Sequence, residues 1–144
     1  MQISEILRRK GNAVVTVAPD TTVHMLIAAL IERNIGAVVV SPDGDTIAGI
    51  VSERDVVRCL HTRGAGLLDM PVSAIMTSDV RTCALDDQVD SLRRTMTEHR
   101  VRHLPVMHEG RLVGIVSIGD VVKSAISELA TEHEHLVEYL QGKY

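Results

Sequence analysis

The chain has 144 residues, 45% of them hydrophobic and 24% charged, a balance that suits one compact domain or two small units over a shared core and excludes a disordered tail. Its net charge of −4, with fifteen basic residues scattered among nineteen acidic ones, argues against nucleic acid as a partner. Phe and Trp are absent and both tyrosines, Tyr139 and Tyr144, stand near the C-terminal end, so any bound base must lie between aliphatic side chains.

In chain order, a short helix (Ser4 to Arg9) leads into an extended segment (Val14 to Val17). An amphipathic helix follows over Thr22 to Arg33, with Val23, Leu26, Ile27 and Leu30 at helical spacing. Two strands around a glycine turn come next, Ala37 to Val40 and Ile47 to Val51, and a helix closes the unit. Thr62-Arg63-Gly64-Ala65-Gly66 reads by composition as a flexible linker. The same order then returns: a short helix (Val72 to Met76), an extended segment (Val80 to Cys83), a helix carrying Val89, Leu92 and Met96, strands over His103 to Met107 and Leu112 to Val116, and a closing helix.

The repeat is visible residue by residue. Ser4-Glu5-Ile6-Leu7 reads against Ser73-Ala74-Ile75-Met76, and Thr16-Val17-Ala18-Pro19-Asp20 against Thr82-Cys83-Ala84-Leu85-Asp86, the first copy carrying three extra residues around Lys10-Gly11-Asn12. A unit of this size is marginal alone. The expectation is therefore an α/β (α+β) fold of two β-α-β-β-α repeats packed about a pseudo-twofold axis, over residues 1–61 and 72–127, with a linker at 62–71 and a helical extension at 128–144. Nearly continuous apolar strands predict sheets covered on both faces.

Two segments stand out at strand-to-helix junctions: Gly49-Ile50-Val51-Ser52-Glu53-Arg54-Asp55 and Gly114-Ile115-Val116-Ser117-Ile118-Gly119-Asp120. Ser-x-x-Asp before an apolar helical run can be a capping box, the serine accepting from a backbone N–H and the acid bonding back. The same geometry can serve a ligand, because exposed N–H groups at a helix start favour an anion while an adjacent acid accepts from a sugar diol. Both readings stand at this point.

These paired segments, with Arg102-His103-Leu104-Pro105-Val106 as the second middle strand, resemble the tandem CBS-domain pair, or Bateman module, over residues 3 to 127, and the chain looks most like the stand-alone bacterial signal-transduction CBS proteins. The resemblance implies two short sheets with helices outside and two clefts between the copies, taking AMP, ADP, ATP, NAD or S-adenosylmethionine. It implies Ser52 and Asp55 in one cleft and Ser117 and Asp120 in the other. It further points to Val14, Val15, Gly36 and Ala37 beside the Asp120 cleft, to Arg102 and His103 near a shared floor, and to Val80 and Arg81 at the Asp55 cleft. Val14, Ile35, Ile50 and Ile115 could sandwich an adenine. Gly119 allows close approach of a phosphate to backbone, whereas the first copy has Glu53 and Arg54 there, so the Asp120 cleft is the better candidate for an adenine nucleotide.

The remaining features are less specific. Absence of an apolar run of ~18–20 residues, and of a basic-then-apolar start, predicts a cytoplasmic protein without membrane partners. Cys59 and Cys83 lack metal or disulfide spacing and read as buried thiols, and no metal site is expected. From Val122, the positions Ile126, Leu129, His133, Leu136 and Leu140 form a heptad seam on a helix from Gly119 to Gln141, predicted to pack on its own domain or on a twin chain. A homodimer is the preferred reading, with a separate effector protein as the target. Three functions are open: a non-catalytic sensor, a ligand-free interaction scaffold, and an enzyme, the last disfavoured because no base and nucleophile pair, metal set or Gly-rich phosphate loop is evident in the sequence.

Overall fold

The computed structural model describes residues 1–142, so the last two residues of the predicted extension, Lys143 and Tyr144, lie outside the described residues. Helix α1 (Ile3–Lys10) is followed by β1 (Thr16–Val17), α2 (Val23–Arg33), β2 (Ala37–Val40), β3 (Gly49–Ser52) and α3 (Glu53–Arg63). The second half holds β4 (Cys83–Ala84), α4 (Val89–His99), β5 (His103–His108), β6 (Arg111–Ser117) and α5 (Ile118–Leu140). Each half builds a three-stranded sheet of the same order, β1-β2-β3 and β4-β5-β6, with the first pair parallel and the second antiparallel. The α/β architecture of two repeats with a long final helix is as expected.

Local chemistry sets the element ends. Thr22 caps α2, its hydroxyl accepting from the Met25 N–H at 3.2 Å, and Asn34 ends it in the left-handed conformation at φ 50°. All four residues of β2 are buried, as the continuous apolar run requires for a strand covered on both faces. The extended segments are shorter than read from sequence. Val14 and Val15 precede β1 instead of belonging to it, and Val80 sits in a turn, its N–H donating to Ser78 O at 3.1 Å, before β4 begins at Cys83. Behind Pro71, the predicted helix over Val72 to Met76 is only a 3-10 turn, Val72–Ala74, because the chain straightens at Thr77 to bond with β3.

The leading segments cross over. Ile3, Ile6 and Leu7 of α1 are buried in the core of the second sheet, with Leu92, Met96, Leu104 and Val116. Val72 and Ile75 are buried in the core of the first, with Leu26, Val38 and Val51. Equivalent backbone pairs fasten both crossings. Ile3 N donates to Asp87 O at 3.0 Å and Val89 N to Met1 O at 3.0 Å, while Val72 N donates to Thr21 O at 2.8 Å and Val23 N to Met70 O at 2.9 Å. Since each fully buried aliphatic side chain contributes about 1.5–3 kcal/mol, neither core is complete without the other copy's lead.

The stretch 62–71 is not the flexible linker its glycines suggest. Helix α3 runs through Arg63, a 3-10 helix spans Gly64–Asp69, and Leu67 is fully buried in the first core. One leucine anchors the connection that the glycine content alone would leave loose. The thiols also divide: Cys83 is buried, and burial with the nearby Asp87 charge pushes it up to about 12, whereas Cys59 is only half-buried. Along α5, Val122, Ile126, Leu129, Leu136 and Leu140 are exposed, so the heptad seam does not pack on its own domain.

Close approach at the two crossings depends on missing side chains. A β-carbon at Gly49 would stand 2.6 Å from Met76 Sδ and 2.8 Å from Thr77 O, and one at Gly114 would stand 2.7 Å from Leu7 Cδ1. Backbone cannot yield as a leucine methyl can. Gly49→Ala is therefore expected to lose about 1–3 kcal/mol in urea unfolding and to exceed the loss at Gly114→Ala; equal stability of Gly49→Ala and the parent chain would contradict the crossing.

Candidate functional site

Strand register delivers the motif serines. Ser52, the last residue of β3, pairs with Ala37, and Ser117, the last of β6, pairs with His103. Both begin helices through a complete capping box. Ser52 Oγ accepts from Asp55 N at 3.3 Å, while Asp55 Oδ2 accepts from Ser52 N at 2.8 Å and from Ser52 Oγ at 3.0 Å. The Ser117–Asp120 set repeats this at 3.2, 2.9 and 3.0 Å. Capping uses only one carboxylate oxygen of Asp55. Among the described residues Oδ1 has no hydrogen-bond partner, and it remains available to accept from a sugar hydroxyl.

A cavity of about 330 Å³ opens between the copies on the Asp55 side, in the size range of small-molecule sites. It gathers the predicted residues Gly36, Ala37, Ile50, Ser52, Arg54, Asp55, Val80, Arg81, Arg102 and His103. Ile50, Val80, Leu104 and Ile118 give it aliphatic walls. Of the four residues expected to sandwich an adenine, only Ile50 lines the space. Gly36 and Ala37, expected beside the Asp120 cleft, line this cavity, because the start of β2 is held to β3 and Glu53 N donates to Gly36 O at 2.9 Å.

Charge is the property that sequence reading underestimated. Arg54, Arg58, Arg81, Arg100 and Arg102 line the cavity against three acids, Glu53, Asp55 and Asp79. The surplus is positive, although the whole chain is negative, and it suits phosphate. Arg58 was legible, being one helical turn beyond Arg54 on α3. Arg100 was not. It ends α4 in the left-handed conformation at φ 53°, where Asn34 ends α2, and an arginine there is held at a cost.

At the other end of the boundary between the copies, the Asp120 motif meets a side chain of the first copy. Ser117, Gly119, Asp120, Ile115, Val14 and Val15 do not line the cavity, and Val15 packs on the first core. Lys10, at the last position of α1, donates from Nζ to Asp120 Oδ2 at 2.8 Å and to Ile115 O at 2.8 Å. Burial raises the Asp120 carboxyl, but the Lys10 hydrogen bond, the Ser117 hydrogen bonds and the Lys10 charge outweigh it and hold the group below its ordinary value. The two motif acids thus differ in surroundings, through the three extra residues around Lys10 and not through the motif. Among the described residues, no group of three His, Cys, Asp or Glu side chains could hold a metal.

Comparison with known proteins decides the family. The family model described as CBS domain matches residues 3–62 and 72–127. The chain belongs to the CBS domain family. A CBS-domain protein of Agrobacterium tumefaciens is 42% identical, with a TM-score of 0.84 over 87% of this chain and 99% of that one. The mitochondrial CBS domain-containing protein CBSX3 of Arabidopsis thaliana is 33% identical over 150 residues, 99% of this chain and 73% of that protein. A CBS domain protein of Pyrobaculum aerophilum complexed with AMP is 29% identical, with a TM-score of 0.76 over 91% of this chain and 99% of that one.

His103 stands at the centre of this CBS pair. A β-carbon at Gly36 would lie 3.5 Å from its ring, which places the imidazole across the boundary between the copies. Burial and the positive charge of Lys10 push its pKa down, Glu53 and Asp120 push it up, Arg102 pushes it down, and the net direction is below 6.5. The unfolded chain therefore takes up a proton near 6.5 that the folded chain refuses, so stability falls as pH drops below that value. Urea unfolding should show this slope in the parent chain and a flatter one in His103→Gln; identical slopes would contradict the assignment.

Proposed function

We propose that the chain is a non-catalytic regulatory module that binds an adenosine-containing ligand, AMP, ADP, ATP or NAD, in the cleft beside Asp55 and passes occupancy to a separate partner or across a homodimer. The observation that carries this is one cavity combining a free carboxylate oxygen, aliphatic walls and five arginines. The carboxylate suits the ribose diol, the walls suit the base without aromatic stacking, and the arginines suit the phosphates. S-adenosylmethionine, with its cationic sulfonium, fits this charge poorly. The AMP complex of the Pyrobaculum aerophilum relative supports the same ligand class. Ser52 Oγ donates to Asp55 Oδ2 and accepts from Asp55 N, so the hydroxyl is held as a helix cap, which favours binding without turnover.

Both copies wall the cavity, so a ligand that fits one spacing of the copies better than another shifts the pair toward it. The exposed apolar side chains Met25, Ile31, Val57 and Leu60 on α2 and α3, and the seam along α5, support a homodimer as the receiver. A cytoplasmic location fits the absence, among the described residues, of any helix long and apolar enough to cross a membrane. A ligand-free dimeric scaffold is the second reading, favoured by the completeness of both capping boxes, which give the Ser and Asp residues a structural role without any ligand.

Denaturation with and without AMP, ADP, ATP and NAD separates the two. A bound ligand at roughly 100 times its Kd adds about 2.7 kcal/mol. That gain should vanish in Asp55→Ala and shrink in Arg100→Asn, which relieves the left-handed backbone and should itself be more stable than the parent without ligand. No gain with any of the four would favour the scaffold.

A further inference from the structure

The two copies differ at their motif acids through one side chain. In the first copy the outer edge of β3 is bridged by backbone, Ile50 N donating to Thr77 O at 2.9 Å and Thr77 N to Ile50 O at 2.9 Å. Ile115 is the equivalent position on β6. There the leading segment is still helical, since α1 runs to Lys10 before Gly11 breaks it at φ 89°, and its backbone does not reach the strand. The Lys10 side chain reaches instead, and its ammonium joins Ile115 O to Asp120 Oδ2 at 2.8 Å each. With Ser117 N and Ser117 Oγ, three donors converge on that one oxygen, and the Asp120 side chain is left 16% exposed.

We propose that Lys10 is a built-in occupant of the second cleft and that it limits each chain to one adenosine ligand. The inference rests on the binding reading given above. By the chain's own repeat Asp120 is the counterpart of Asp55, so the same ribose acceptor is present in both halves. Lys10 bonds the cap oxygen Oδ2 and leaves Oδ1 without a partner among the described residues, so it excludes a ligand by placing its ammonium and alkyl chain in the space between the carboxylate and the Ile115 carbonyl, where a charge-assisted bond holds it. Lys10 thereby sets stoichiometry and confines the ligand to the arginine-lined cleft.

Titration calorimetry with ADP on the parent chain, Lys10→Ala and the double variant Lys10→Ala/Asp120→Ala tests this. Lys10 stands outside both cores and alanine suits a helix end, so the variants should fold, and their unfolding transitions are recorded alongside. The expected result is one ADP per parent chain, two per Lys10→Ala chain, and one again in the double variant. Two sites in the parent, or one in Lys10→Ala, would overturn the role of Lys10 while leaving the first cleft intact as a nucleotide site. No binding to the parent but one ADP on Lys10→Ala, lost in the double variant, would support Lys10 as occupant and contradict the Asp55 cleft. No binding to any of the three would overturn both.

Discussion

Everything in this molecule depends on two places where a chain segment from one repeat crosses a strand of the other at van der Waals distance. Leu7 lies over Gly114 and Met76 over Gly49, and in each case a single β-carbon would collide. These glycines are chosen for absence of bulk, not for backbone freedom, since neither has a positive φ. The crossing gives each small sheet the apolar cover it cannot supply from its own half. It also presses the two copies together along β3 and β6, so that the residues beginning α3 and those around β5 end up facing one another across a cleft.

Sequence symmetry does not survive at the level of the site. Both motifs fold into the same capping box to within a tenth of an ångström, yet it is the Asp55 motif that lines the cavity of about 330 Å³, while Asp120 is bonded to Lys10. The difference arises upstream. Thr77 leaves its short turn in time to bridge Ile50 through backbone, whereas α1 continues to Lys10 and delivers an ammonium to Ile115 and Asp120. This contact ties the first copy's leading helix to the second copy's motif at one end of the boundary between them. The open end carries the positive charge, contributed by α3 of the first copy and by the segments before β4 and after α4 of the second.

The repeat, the strand pairs and the capping residues Ser52 and Ser117 were legible because each has a local signature, whereas Val80, Arg81, Arg102 and His103 were named only through the family resemblance and Gly36 and Ala37 were assigned to the other cleft. Glycine spacing and the Ser-x-x-Asp pattern need no knowledge of distant contacts. What escaped sequence reading was non-local. That Ile3 and Leu7 belong to the second core follows from topology, as does the anchoring of Leu67, which turned a glycine-rich connection into packed structure. Arg100 gains its place from a left-handed helix end that an asparagine would mark and an arginine hides. Lys10 read only as part of an irregular insertion, and its role emerges once the strand carbonyl it meets is known.

The central claim is that two matching motifs yield one working cleft. A crystal structure of the chain grown with ADP tests it most directly. The account predicts nucleotide density with its ribose on Asp55 Oδ1, its phosphates among Arg54, Arg81, Arg100 and Arg102, and Lys10 still bonded to Asp120. Density on Asp120 with Lys10 displaced, or in both clefts at once, would contradict it.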